Sequence, residues 1–422
     1  MRIVNRLGGR LQLASCVALA LLASACTRPA QRVAVTPPPV TVAPDRTVRP
    51  PTPVQVEQNH VALLVPLTGS NAAVGQSIAN AANMALLESG EKRINLRNYD
   101  TAAGGAAAAA SKAIGEGARL FLGPLLAGDV RAVQAVASAN AVPVLSFSND
   151  AALAGEGTYV LGYQPGQSIA RVVQYARSRG AVRFAALIPD GVYGQRAANA
   201  FLRAVEASGG RVVSVVNYAR TPARLLAAAR KVTDYDRRMA VAAKAPALRP
   251  DGSVAPIASR LPPIGFQALL IADSGNVAAA FGPALTQYGA GGVLILGTEL
   301  WNNEPAIRRA KGLQGAVFAS VADGRFAALG ERYRAKFGGA PSRLASFGYD
   351  SVLLVNSLAE RWPLGQPFPR ALLAAPDGFA GIDGVFRFTE SGIADRGLEV
   401  QRIAGGTITT VQAAPKTLGG GR

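Results

Sequence analysis

From residue 60 onward, short apolar runs alternate with segments of helical period. "HVALLVPLTG" (60–69) is an unbroken apolar run of strand length ending in turn chemistry. "SIANAANMALLESG" (77–90) then repeats apolar positions at helical spacing up to a glycine stop. The alternation continues with a strand at "INLRNYDT" (94–101), a helix over the Ala-rich 102–117, a strand at "ARLFLGP" (118–124), a helix over 128–140 and a strand at "VPVLSFSND" (142–150). Continuously apolar strands separated by helices predict a parallel sheet covered on both faces. In such sheets ligands bind beyond the carboxyl ends of the strands, so the polar loops there are the first candidates for function.

A second, similar series follows "YVLGYQPG" (159–166). Helices are expected over 168–180, 193–210 and 222–235, strands at "RFAALIPD" (183–190) and "RVVSVVNYA" (211–219), and an irregular insertion over 240–263. Then come the strand "FQALLIAD" (266–273), a helix over 276–289 and the strand "GVLILG" (292–297), which runs into the polar loop "TELWNNE". Helices are expected again over 325–339 and 346–362, and residues 384–406 read as a β-hairpin with a glycine-containing connection. The pattern as a whole predicts an α/β chain of two Rossmann-like, doubly wound parallel-sheet domains joined by a hinge.

The amino-terminal region breaks this pattern. Arg2, Arg6 and Arg10 precede a short apolar stretch and then small residues ending at Cys26, which is the layout of a secretory signal and too short for a stable membrane span. "LASAC" resembles the lipobox of bacterial lipoproteins, in which the cysteine becomes the acylated first residue. Ala23-Ser24-Ala25 also suits the ordinary secretory peptidase, which would leave Cys26 unmodified. Thr27 follows in place of the Asp that retains lipoproteins at the inner membrane, so the expected destination is the outer membrane, facing the periplasm. Residues 26–57 carry eight prolines and few bulky apolar side chains, as expected of an extended tether. Such a segment reaches roughly 90 Å when fully stretched.

Composition excludes several chemistries. The two cysteines are Cys16, inside the signal, and Cys26, and the one histidine is His60. Ser-His-Asp triads, Cys-His pairs and polyhistidine metal sites are therefore almost excluded, a thiolate metal site has no cysteines to build it, and neither a metal nor a cofactor is expected. "GPLLAGDV" places Asp129 where a phosphate-binding loop needs lysine. Asp234 and Asp236, two apart on a helix, do not face each other, and no general acid–base pair emerges. The net charge of +18 points to anionic surfaces or acidic partners, or simply to solvated surface charge. No nucleic-acid recognition motif accompanies it. The basic stretch 220–249 allows the same two readings.

"VPLTGSNAAVGQSIANAANMALLE" and "DGVYGQRAANAFLRAVEASGG" resemble the opening strand–loop–helix units of the two domains of type I periplasmic binding proteins. The resemblance covers roughly residues 59–415. It implies a first domain of 58–163 with 316–365, a second of 164–315 with 366–415, a signal over 1–25 and a flexible tail over 416–422. Two branches of that superfamily are relevant: solute receptors of amino-acid transporters, and penicillin-binding-protein activators of the LpoA type. "LFLGPL", "GTELWNN", "GAVFAS", "FGYDSVLL" and "GIDGVFRFTESGIADRGLEV" look more like the activators. Those activators also carry an amino-terminal helical-repeat domain, where this chain has its proline-rich segment. The resemblance implies a non-catalytic lipoprotein that binds a class A penicillin-binding protein, with a receptor for a small amino-acid-like ligand as the alternative. Peptidoglycan itself is a further candidate partner.

Candidate cleft or partner residues follow from the strand-end loops. Thr68 and Ser70 lie after the first strand, Ser146 and Ser148 after the fourth, Tyr193 in the "VYG" turn, Asp273 at the end of "LLIAD", Glu299 and Trp301 in "GTELW", and Tyr349 in "FGYDS". Solute receptors of this family hold an amino-acid carboxylate with hydroxyls and backbone N–H groups, yet the loop after the third strand, Gly123 to Gly128, has no hydroxyl. Serines, asparagines and aspartates at such positions also cap helices and close turns. Trp301 is read as a structural or partner-facing side chain more readily than as a ligand clamp.

Overall fold

The computed structural model describes residues 58–244, 256–302 and 304–418. The signal, the tether with Cys26, residues 245–255 of the insertion and the last four positions of the tail lie outside the described residues. The first sheet is built from β1 (Asn59–Val65), β2 (Ile94–Asp100), β3 (Ala118–Leu122), β4 (Val144–Ser146) and β5 (Thr158–Val160), in the order β2-β1-β3-β4-β5 with every neighbour parallel. All seven residues of β1 are buried, as its unbroken apolar run requires of a central strand with helices on both faces.

The second sheet repeats this winding. It contains β6 (Arg183–Pro189), β7 (Arg211–Tyr218), β8 (Ala268–Ile271), β9 (Leu294–Gly297) and β10 (Val317–Ser320), with β7-β6-β8-β9-β10 as its parallel part. Two antiparallel strands, introduced below, extend it beyond β10. Each sheet is thus a doubly wound unit of order 2-1-3-4-5, as the strand–helix alternation predicts.

The carboxyl-terminal third is divided between the lobes differently from the sequence expectation. β10 lies in the second sheet, although residues 316–365 were expected in the first domain. The helices Asp323–Phe337 and Ala345–Leu358 do pack on the first lobe, where Phe326, Leu329, Phe347 and Val352 join a core with Val61, Ile78 and Leu122. A small antiparallel sheet of β11 (Phe379–Gly381), β12 (Gly384–Phe388) and β13 (Ala394–Arg396) joins that same core through Phe379, Phe386 and Phe388. Only then does the chain return to the second sheet as β14 (Glu399–Ala404) and β15 (Thr407–Gln412). The stretch 384–406, expected as one hairpin, therefore spans both lobes. Its glycine pair Gly405-Gly406 turns β14 into β15, while Gly397 marks the passage between lobes.

One further boundary differs. The helix expected over 222–235 is two helices, Pro222–Val232 and Tyr235–Lys244, broken at Asp234, whose φ is +49°.

Candidate functional site

A cavity of about 490 Å³ lies where loops beyond the carboxyl ends of strands from both sheets meet. Clefts of this size suit small ligands. Leu125 and Leu126 enter from the loop after β3, Phe147 and Asn149 from the loop after β4, and Tyr163 and Gln164 from the segment after β5. The second lobe contributes Gln167, Glu299, Leu300, Asn302, Ser320 and Val321. Asn71 and Val74 beyond β1, with Arg343, Leu344, Phe347, Arg396 and Leu398, complete the wall. Gly123 directs the leucine loop: its φ is +87°, and a Cβ there would stand 2.2 Å from the carbonyl oxygen of Leu64. Only glycine permits so close an approach in that conformation.

Of the nine strand-end residues read from the sequence, Glu299 is the one that lines this cavity. Its Oε2 accepts a 2.5 Å bond from Ser168 Oγ and its Oε1 a 3.1 Å bond from the Tyr193 hydroxyl, which also lies 3.1 Å from Thr298 Oγ1. Burial raises the Glu299 carboxyl above its usual range, against the opposing pull of these two donors. Tyr193 is itself raised by burial and by the Glu299 charge. Tyr193 thus orients Glu299 from behind.

The other positions are engaged elsewhere. Ser146 Oγ donates to the Pro124 carbonyl and accepts from Ser148 N, while Ser148 Oγ accepts from Asp150 N, so both hydroxyl oxygens are engaged in one buried turn outside the cavity wall. Thr68 is exposed and donates to Asp100 Oδ2 at 2.7 Å. Ser70 is exposed in the turn before the helix Ala72–Ser89 and outside the cavity wall. Tyr349 donates to Glu88 at 2.6 Å between helices of the first lobe. Asp273 is buried, accepting 2.8 Å bonds from the Tyr218 hydroxyl, Arg220 Nε and Ser274 N.

Trp301 is fully buried in the second-lobe core. Its indole lies against Gly297, where a Cβ would come within 2.3 Å of the ring, and its Nε1 donates to the Asp273 carbonyl at 3.0 Å. It plugs the loop it begins and does not face the cavity.

Sequence reasoning missed Arg343, Arg396, Tyr163 and the glutamines. "DRGLEV" served as a mark of family, although Arg396 within it is a cavity residue. Asp150, by contrast, joins the lobes: it accepts from Arg131 at 3.0 Å and from Arg196, on a second-lobe helix, at 2.6 Å. The basic stretch is partly neutralised, by Asp236 on Arg230 and Asp234 on Arg237 within it and by Asp273 on Arg220 from outside it.

A family model described as periplasmic binding protein matches residues 58–407. The chain belongs to the periplasmic binding protein family. Membership goes with a periplasmic or envelope location. Among solved structures, the fold resembles a branched-chain amino acid ABC transporter periplasmic ligand-binding protein from Burkholderia xenovorans, at a TM-score of 0.61 and 16% identity over 86% of this chain and 97% of that one. It equally resembles the C-domain of LpoA from Haemophilus influenzae, a regulator of PBP1A, at a TM-score of 0.61 and 19% identity over 84% of this chain and 100% of that one. At such identities the likeness is one of fold. An uncharacterized protein from Rickettsia prowazekii is 29% identical over 136 residues, a stretch that spans 32% of this chain and 36% of that protein.

Proposed function

We propose that the protein is an outer-membrane lipoprotein, anchored through Cys26, that binds and activates a class A penicillin-binding protein without catalysing a reaction itself. The proline-rich segment gives the folded body its reach, and contact shifts the synthase toward an active conformation. The observation that carries this reading is the first-lobe wall of the cavity. Its loop after β3 presents Leu125 and Leu126 and no hydroxyl, and Ser146 and Ser148 lie outside the cavity wall in their own buried turn. The fold shared with the LpoA C-domain is consistent with it. Pull-down against the cell's class A synthases, followed by a glycan-polymerisation assay, tests the proposal. Co-purification and a raised polymerisation rate are expected. Absence of both overturns it, and binding to isolated peptidoglycan without any effect on a synthase would make the protein a wall scaffold instead.

A second reading, a receptor serving an amino-acid-type ABC transporter, draws support from the cavity itself. Its walls place Glu299 in the second lobe and Arg343 and Arg396 on the other side, a charge pattern that suits a zwitterion. Under this reading an amino acid at 100 times its dissociation constant stabilises the fold by about 2.7 kcal/mol. Thermal unfolding across an amino-acid library checks it, and a flat response removes the receptor reading.

A further inference from the structure

The chain passes between the lobes three times: at 161–164, between β5 and the helix Pro165–Ser178; at 321–322, between β10 and the helix Asp323–Phe337; and at 397–398, between β13 and β14. One buried polar cluster touches all three passages. Its centre is Asp383, fully buried, which accepts from the Tyr163 hydroxyl at 2.6 Å and from Ser346 Oγ at 2.7 Å, and pairs with Arg343 Nη2 at 2.8 Å. Tyr163 lies on the first passage. Arg343 also donates to the Tyr163 hydroxyl at 3.0 Å and approaches Asp323, at the second passage, to 3.8 Å. Arg396 borders the third passage and donates to the Leu161 carbonyl of the first at 2.6 Å. Its guanidinium sits 5.4 Å from the Tyr163 ring, 5.1 Å from Phe386 and 5.6 Å from Phe347. Asp350, which takes the backbone N–H groups of Ile382 and Asp383, fixes the turn that presents Asp383.

We propose that this cluster is a hinge clamp, which ties the three passages to one another and sets how far the two lobes open. A simple core ion pair would tie first-lobe helices alone; this one reaches the connections on which any lobe rotation must turn. Because Tyr163, Arg343 and Arg396 also line the cavity, a molecule filling it presses on the clamp directly. The inference is independent of whether a synthase or a transporter is the partner. Removing one member of such a cluster strands a buried charge, which favours the conformer that lets water reach it.

The test is a pulsed electron–electron distance measurement on the full chain, with Cys16 and Cys26 replaced by serine and spin labels at Ala103→Cys and Ala223→Cys, both exposed and in different lobes. Wild-type hinge residues are expected to give one narrow distribution. Asp383→Asn, Arg343→Lys and Tyr163→Phe are expected to broaden it and to shift its mean by more than about 2 Å, the scale of domain rearrangements. Tyr349→Phe removes another tyrosine–carboxylate bond, within the first lobe alone, and is expected to leave the distribution unchanged. Each variant is measured with Arg196 intact and as Arg196→Gln, so that the Asp150 bridge does not mask an opened hinge. If Asp383→Asn fails to fold, the other two variants decide. Folded hinge variants with the wild-type distribution in both backgrounds overturn the clamp, and so does a Tyr349→Phe change of equal size.

Discussion

Replacing Trp301 by alanine is expected to destabilise the fold by about 3–5 kcal/mol, the range for truncating a fully buried large aromatic side chain. The indole has no solvent-exposed surface and belongs to a core with Phe281, Ile307, Leu313 and Phe318. The Phe318 ring lies 6.0 Å away. Its removal leaves a void bounded by a glycine backbone at Gly297 that has no side chain with which to fill it. Trp301→Phe keeps much of the volume but strands the Asp273 carbonyl, at a cost of about 1–3 kcal/mol for the lost donor. Denaturant titration of the three proteins gives the order wild type, Trp301→Phe, Trp301→Ala. An unchanged midpoint for the alanine variant would contradict the packing described for this loop.

Asp350→Asn is expected to alter the pH dependence of stability more than its midpoint at any one pH. Burial, reinforced by the nearby Asp383 charge, raises the Asp350 carboxyl to about 7, while the N–H groups of Ile382 and Asp383 and the charge of Arg396 pull the other way. An unfolded aspartate titrates near ~3.9. Between these values the folded chain holds a proton that the unfolded chain has released, so stability from this group is complete at low pH and declines as pH rises through the window. Asparagine carries no such cost. The melting temperature of the variant relative to wild type should therefore climb as pH rises from about 4 to 7 and level off above. Asp383 has the opposite sign: burial opposes its ionisation, yet Arg343 and Arg396 hold it below the usual carboxylate range, so its contribution is lost as pH falls. The two carboxyls interact, so the comparison reports on the titration of the pair. A melting-temperature difference that is flat with pH would refute the burial argument for Asp350.

The sheets were legible because apolar runs such as "VALLV" and "ALLI" have one physical solution, a central strand covered on both faces. Sheet membership was not legible. Val317–Ser320 reads as a buried strand in either lobe, and only its pairing with β9 and β14 decides the matter. The candidate site suffered from the same locality. Ser146, Ser148 and Asp273 stand at strand ends as foreseen, but a single sequence does not reveal whether a hydroxyl or carboxylate turns outward or closes its own loop. Arg343 lies in a short connection between helices and Arg396 ends the three-residue strand β13, neither long enough for a periodicity to mark it. They come together at Tyr163, whose ring both guanidiniums approach, and Arg343 pairs there with Asp383, tens of residues away in the chain.

The three passages also constrain how the protein is made. A chain emerging from its amino terminus lays down the first five strands early, yet the helices and small sheet that cover them come from residues 323–396, after nearly all of the second lobe. Neither lobe corresponds to a continuous stretch of polypeptide. The first must wait, with Ile78 and Leu122 uncovered, until β6 to β10 of the second have been synthesised, so the nascent first lobe exposes apolar surface for most of translation and is the species a holding chaperone would serve.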